Sequence, residues 1–173
     1  EYAFNSHQRA IAATKGGAFE AEVLPIEITL PDGRKELHRV DEGIRFDSSL
    51  EAIRGVKLLQ EGGRITAATS SQTADGASGV MVVNDKGLKA LGVQPLARIH
   101  HMTVIGHDPV IMLEAPIPAT AHALKKAGMK LQDIDLFEVN EAFASVPVGW
   151  LPQVDADPDK LNVNRRAVAL RHP

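Results

Sequence analysis

The chain has 173 residues, 44% hydrophobic and 24% charged, with a formal net charge of −3. That balance is enough to build a core and lies far from the polar, highly charged composition of disordered chains. It leaves no excess of cations to neutralise phosphates, so a nucleic-acid partner is not expected. The sequence holds no Cys, which removes disulfides, thiolate-bound zinc and any cysteine nucleophile from the chemistry these residues can do.

Residues 2–14 contain neither Gly nor Pro and are rich in Ala, and Gly16-Gly17 follow as breakers, so the pattern predicts an amphipathic helix. Residues 22–30 alternate acidic and apolar around Val23, Ile26 and Ile28. Pro31-Asp32-Gly33 then supplies a turn before residues 37–40, which together read as a short hairpin. Ser48-Ser49-Leu50-Glu51 matches a capping box, and Ala52, Ile53, Val56, Leu58 and Leu59 continue it as an apolar helical stripe that Gly62-Gly63 closes.

Residues 64–68 and 78–83 are strand-like, the second with a Val-Met-Val-Val run suited to burial on both faces, and a loop of small residues separates them. A short helix near 86–91 precedes a β-like run over 96–105. Residues 120–126 are helical with Gly128 as the stop, 134–139 form a further strand, and Glu141 opens a helix that Pro147 weakens. The alternation predicts an α/β fold with a mixed, mainly parallel sheet.

His100, His101 and His107 are close in sequence, but adjacent strand residues point to opposite faces and no zinc-type spacing is present, so no metal site is expected. Nor does any run approach the roughly 18 to 20 apolar residues of a membrane helix. Membrane insertion is therefore not expected, and the default expectation is an intracellular, cytoplasmic protein. The opening Glu1-Tyr2-Ala3-Phe4-Asn5 has neither an initiator Met nor signal-peptide order, as though the chain began inside a longer one.

The stretch Asn140-Glu141-Ala142-Phe143, entered from Ile134-Asp135-Leu136-Phe137-Glu138-Val139, resembles the Asn-Glu-Ala-Phe signature of thiolases. Ser70-Ser71-Gln72-Thr73-Ala74-Asp75-Gly76-Ala77 resembles that family's CoA-contacting loop, and Asp108-Pro109 with Pro116-Ile117-Pro118-Ala119 its segment before a helix. The tail around Asn162-Val163-Asn164 and His172-Pro173 is similar to the approach to its Gly-His-Pro motif. Arg165, Arg166 and Arg171 depart from it, standing where the family usually has Gly.

The resemblance implies a layered αβαβα fold. Residues 1–63 would be part of a loop domain made of helix, hairpin and helix, 64–95 the end of an N-terminal half, and 96–173 a truncated C-terminal half. It also implies acyl transfer between acyl-CoA and CoA, by thiolytic cleavage or Claisen condensation, with CoA as substrate, no cofactor, and a homo-oligomeric parent chain. His172 and Asn140 would stabilise oxyanions, Ser71 and Ala67 would contact the pantetheine arm, and Met112 and Phe143 would line the acyl pocket. The nucleophilic and acid/base cysteines would lie outside these residues. Two other readings are a thiolase-like protein that binds acyl-CoA or lipid without condensing it, and an inactive remnant.

Overall fold

A computed structural model describes residues 1–164 and 168–170. The first helix, α1 (Tyr2–Lys15), buries Ala3, Ser6, His7, Ala10 and Ile11. These positions recur at the three- and four-residue spacing of one helix face. Two of the five are polar, so the face seeks hydrogen-bond partners as well as apolar contact. Ala10 and Ile11 pack with Ile44 and Ala169, and Leu170 flanks the cluster.

The hairpin forms as expected. Strand β1 (Ile26–Thr29) pairs antiparallel with β2 (Lys35–His38), in a register that sets Ile26 opposite His38 and Thr29 opposite Lys35. Gly33 takes a positive φ in the turn, as a tight reversal favours. Most of the hairpin is exposed, and its Lys35–Glu27 ion pair at 2.6 Å lies in solvent, where such a pair contributes little.

Helix α2 (Leu50–Arg54) is shorter than the expected stripe, and its cap is one residue later. Ser49 accepts from the Ala52 N–H, so Glu51 is out of register to reach back. Gly55 ends the helix. The Leu59 N–H then donates to the Ile65 carbonyl, Leu58 bridges Thr66, and Gly62 turns with φ 71°. Gly62 and Gly63 thus serve a loop reversal instead of a helix stop.

Helices α3 (Asp85–Leu91) and α4 (Pro116–Ala127) end at Gly92 and Gly128, each in the left-handed conformation. Helix α4 starts four residues before the expected 120, because Pro116 and Pro118 occupy its first turn, where a missing N–H costs no helical bond. Helix α5 (Ser145–Val154) runs through Pro147 for the same reason, and begins four residues after Glu141. The intervening backbone groups of Ala142 and Ala144 bond elsewhere, to Ser71 and Thr69.

The expected strands at 64–68, 78–83, 96–105 and 134–139 form no ladder. Among the described residues the sheet is the β1–β2 pair, and parallel pairing is limited to one bridge between Phe137 and Leu161. Val80, Met81 and Val82 are 91, 76 and 70% exposed. A segment whose composition suits a strand covered on both faces thus lies open, for want of neighbouring strands among the described residues.

Trp150 of α5 is the anchor of the C-terminal half. Its ring lies 5.3 Å from that of Phe137, and its Nε1–H donates to Thr120 Oγ1 at 2.9 Å. Trp150→Ala is expected to lower stability by about 3–5 kcal/mol. Thr120→Val, which keeps the shape but strands the indole N–H, should cost about 1–3 kcal/mol. Urea unfolding measures both, and equal costs would mean that the hydrogen bond, not the ring, carries the contact.

Candidate functional site

Two segments far apart in sequence meet at the site. The turn Ala67–Thr69 is closed by Thr69 Oγ1, which accepts from the Thr66 N–H at 3.0 Å, and Ser70 Oγ donates to the Thr66 carbonyl. The chain leaving it bonds to the segment after Asn140. Ser71 N–H donates to the Ala142 carbonyl at 2.9 Å, Ala144 N–H donates to the Thr69 carbonyl at 2.8 Å, and Ser70 bridges Phe143 antiparallel. Ser71 and Phe143 are thereby drawn together, with Asn140 exposed just ahead of the junction.

A cleft of about 570 Å³ opens along this turn. Ala67, Ala68, Ser70, Ser71 and Thr73 form one wall, and Ala52, Ile53, Val56 and Leu59 another, with Arg45, Asp47 and Ser48 at a third side. Small and apolar side chains, with one guanidinium and one carboxylate among them, suit a largely apolar ligand that also carries a charged or polar group. Gln72 fixes the floor: its Nε2 donates to the carbonyls of Gly43 at 2.9 Å and Val168 at 3.2 Å.

Of the six residues singled out from sequence, Ala67 and Ser71 line the cleft, and Phe143 and Asn140 belong to the segment bonded to its wall. Met112 does not join them. It sits in the turn Met112–Glu114, 60% exposed, and is absent from the lining of this cleft. His172 lies outside the described residues, as do Arg165, Arg166 and Arg171.

A second cavity of similar size lies between His107, Ile111, Leu113 and Ile117 on one side and Ser145, Gly149 and Trp150 on the other. Among the described residues no group of three or more His, Asp or Glu side chains is placed to hold a metal ion.

Sequence reasoning missed His7, Arg45 and the role of Glu141. His7 is buried on α1 at the cleft wall, and its Nδ1 accepts from the Arg45 N–H at 3.3 Å. Burial, and secondarily the Arg45 charge, hold its pKa below the ordinary value. The only sequence clue was its place in the buried stripe of α1.

Glu141 is fully buried. Its Oε1 accepts from Tyr2 Oη at 2.6 Å and Asn162 Nδ2 at 3.2 Å, and its Oε2 accepts from the Val168 N–H at 3.0 Å and Ser6 Oγ at 3.2 Å. One carboxylate thus joins α1, the signature segment and the chain beyond Asn162.

Comparison with known proteins places this geometry. The family description "Thiolase, N-terminal domain" matches residues 1–86 and "Thiolase, C-terminal domain" matches residues 93–173. The chain belongs to the thiolase family, and its architecture is the α/β thiolase fold.

It is 48% identical to a steroid 3-ketoacyl-CoA thiolase of Mycobacterium tuberculosis over 99% of its own length and 41% of that protein's. It is 43% identical to a 3-ketoacyl-CoA thiolase of Serratia proteamaculans, covering 46% of it. The human mitochondrial 3-ketoacyl-CoA thiolase, solved also in complex with CoA, superposes with TM-scores of 0.88 and 0.86 at 41 and 40% identity. The chain spans 44 and 42% of those two structures, so it represents under half the length of the relatives it matches.

The His7 environment predicts a pH dependence. A folded-state pKa below the unfolded value means that the unfolded chain binds more protons, so stability is full above the unfolded pKa of about 6.5 and is lost as pH falls below it. Thermal unfolding between pH 7.5 and 5 is expected to show a falling midpoint. His7→Gln, which can still accept from Arg45 but cannot charge, should flatten that fall. An unchanged slope in the variant would assign the acid sensitivity to other groups.

Proposed function

We propose that these residues form the CoA-binding and oxyanion-stabilising part of a thiolase that cleaves 3-ketoacyl-CoA with CoA, or runs the reverse condensation. The observation that carries the reading is the junction of residues 69–71 with 142–144, which sets the Asn140 segment against the small-residue wall of a cleft. The family to which the chain belongs, and a matched relative solved with CoA, support CoA as the ligand.

In this reading Ala67 leaves room for the pantetheine arm and Ser71 offers it a hydroxyl. The exposed guanidinium of Arg45 meets a phosphate at the cleft's charged end. Asn140 orients a water toward a thioester oxygen, and His172 donates to the same developing charge. Phe143 and Met112 belong to the acyl side, Met112 by way of the resemblance.

Acyl transfer of this kind passes through tetrahedral and enolate species, so donors preset on the oxyanion lower the barrier. The acyl-carrying thiolate has to come from residues other than these, since the 173 contain no Cys. Residues 1–63 would then serve as part of a loop domain over the CoA, 64–95 as the end of an N-terminal half and 96–173 as part of a C-terminal half. The parent would be a cytoplasmic homo-oligomer; among the described residues no helix is long and apolar enough to cross a membrane.

Calorimetric titration with CoA and a spectrophotometric assay of 3-ketoacyl-CoA thiolysis by the full-length gene product test the proposal. Ala67→Trp, which fills the cleft from an exposed position, is expected to weaken CoA binding by about ten-fold or more, equivalent to about 1.4 kcal/mol. Arg45→Ala should weaken it similarly and make the residual binding less salt-dependent. CoA binding that neither substitution alters would place the ligand elsewhere.

A further inference from the structure

The residues on either side of Asn140 are held by one another. Asn162 bonds both backbone groups of Val139: the Val139 N–H donates to Asn162 Oδ1 at 2.8 Å, and Asn162 Nδ2 donates to the Val139 carbonyl at 2.9 Å. On the other side Glu141 is pinned through both oxygens, one of them to Asn162 itself. Asn162 is 1% exposed and adopts φ 48°. That left-handed conformation is unfavourable for a residue with a Cβ, although Asn tolerates it better than most.

Such a conformation persists where surrounding bonds over-determine it, and here its amide spans Val139 and Glu141. Beyond Glu141 the fixation continues, because the Val168 N–H that bonds the carboxylate belongs to a residue whose carbonyl accepts from Gln72 on the cleft floor. The exposed Asn140 therefore projects from a backbone clamped at both neighbours and tied to the cleft.

We propose that Glu141 is a positioning residue for Asn140, acting with Asn162 as a clamp that sets where the Asn140 amide points. This rests on the reading of Asn140 as an oxyanion residue. The carboxylate is suited to the task because both oxygens accept, whereas the amide of a Gln at the same position could accept at only one. A clamp of this kind acts through the geometry of the reacting state and leaves CoA affinity alone.

The test uses the full-length gene product, with steady-state kinetics on a 3-ketoacyl-CoA and CoA for wild type, Asn140→Ala, Glu141→Gln, the double variant and Tyr2→Phe. Glu141→Gln is expected to lower kcat by about 10- to 100-fold, with KM for CoA unchanged. Adding Glu141→Gln to Asn140→Ala should lower kcat no further. Tyr2→Phe removes one donor to Oε1 and spares the fold if Glu141→Gln does not, and it should give a smaller loss with the same unchanged KM. Losses that multiply in the double variant, or a kcat in both Glu141→Gln and Tyr2→Phe equal to wild type, would overturn the proposal.

Hydrogen exchange at the Val139 and Val168 amides reads the clamp without turnover. Both are expected to exchange faster in Glu141→Gln, and full protection of both there would also overturn it. If Asn140→Ala retains full activity while both amides lose protection, the clamp stands as structure, but the catalytic reading of Asn140 fails and the positioning role with it.

Discussion

A carboxylate removed from water is costly unless its oxygens are satisfied, and the burial of Glu141 imposes that condition on the whole chain. Its partners come from the first turns of α1, from Asn162 and from Val168. Satisfying them brings together regions separated by 139 and 135 positions for Tyr2 and Ser6. The cleft follows from this closure, because α1 supplies His7 to its wall and Val168 supplies an acceptor to Gln72 on its floor. Arg9 reinforces it by donating to the carbonyls of Leu161 and Asn162 at 3.0 and 3.4 Å.

The division of labour within the signature segment follows from alternation of environment. Asn140 is exposed, Glu141 fully buried, and Phe143 half-buried. Asn140 and Glu141 therefore face solvent and interior in turn, so one short segment presents an amide outward and anchors itself inward. The hydroxyls of the facing turn are spent locally, with Ser70 and Thr69 both bonded to Thr66. This leaves the small-residue wall held by its own local bonds, as a surface against which a flexible chain can lie.

Local elements were legible from sequence where local chemistry decides them. Helix α1, the hairpin with its Pro31-Asp32-Gly33 turn, and the stop at Gly128 all follow from residue types within a few positions. The strands were less so. Periodicity marks a segment as suited to a sheet, but a ladder needs a partner, and residues 78–83 and 96–105 have none among those described. Helix α2 was over-extended because the apolar residues at 58 and 59 belong to a loop reversal that the bond from Leu59 to Ile65 and the bridge from Leu58 to Thr66 disclose. Asn140, Phe143, Ser71 and Ala67 were singled out through motif resemblance, while the contacts of His7 and Glu141 needed three dimensions: each is a polar residue whose partner is distant in sequence.

The same long-range closure constrains the order in which the chain can assemble. A helix of 14 residues is marginal by itself in water, and Tyr2 and Ser6 of α1 find Glu141 only after some 135 further residues have been made. While the residues between α1 and Glu141 are being made, α1 is an amphipathic segment without its dock, whereas the hairpin and α4, built from near neighbours, can already form. Bringing together ends so far apart carries a loop-closure cost that is recovered only when the carboxylate is finally enclosed. Within these residues, helix α1 is therefore made before the groups that secure it. A holding chaperone has its opportunity there for as long as the stretch up to Glu141 takes to emerge.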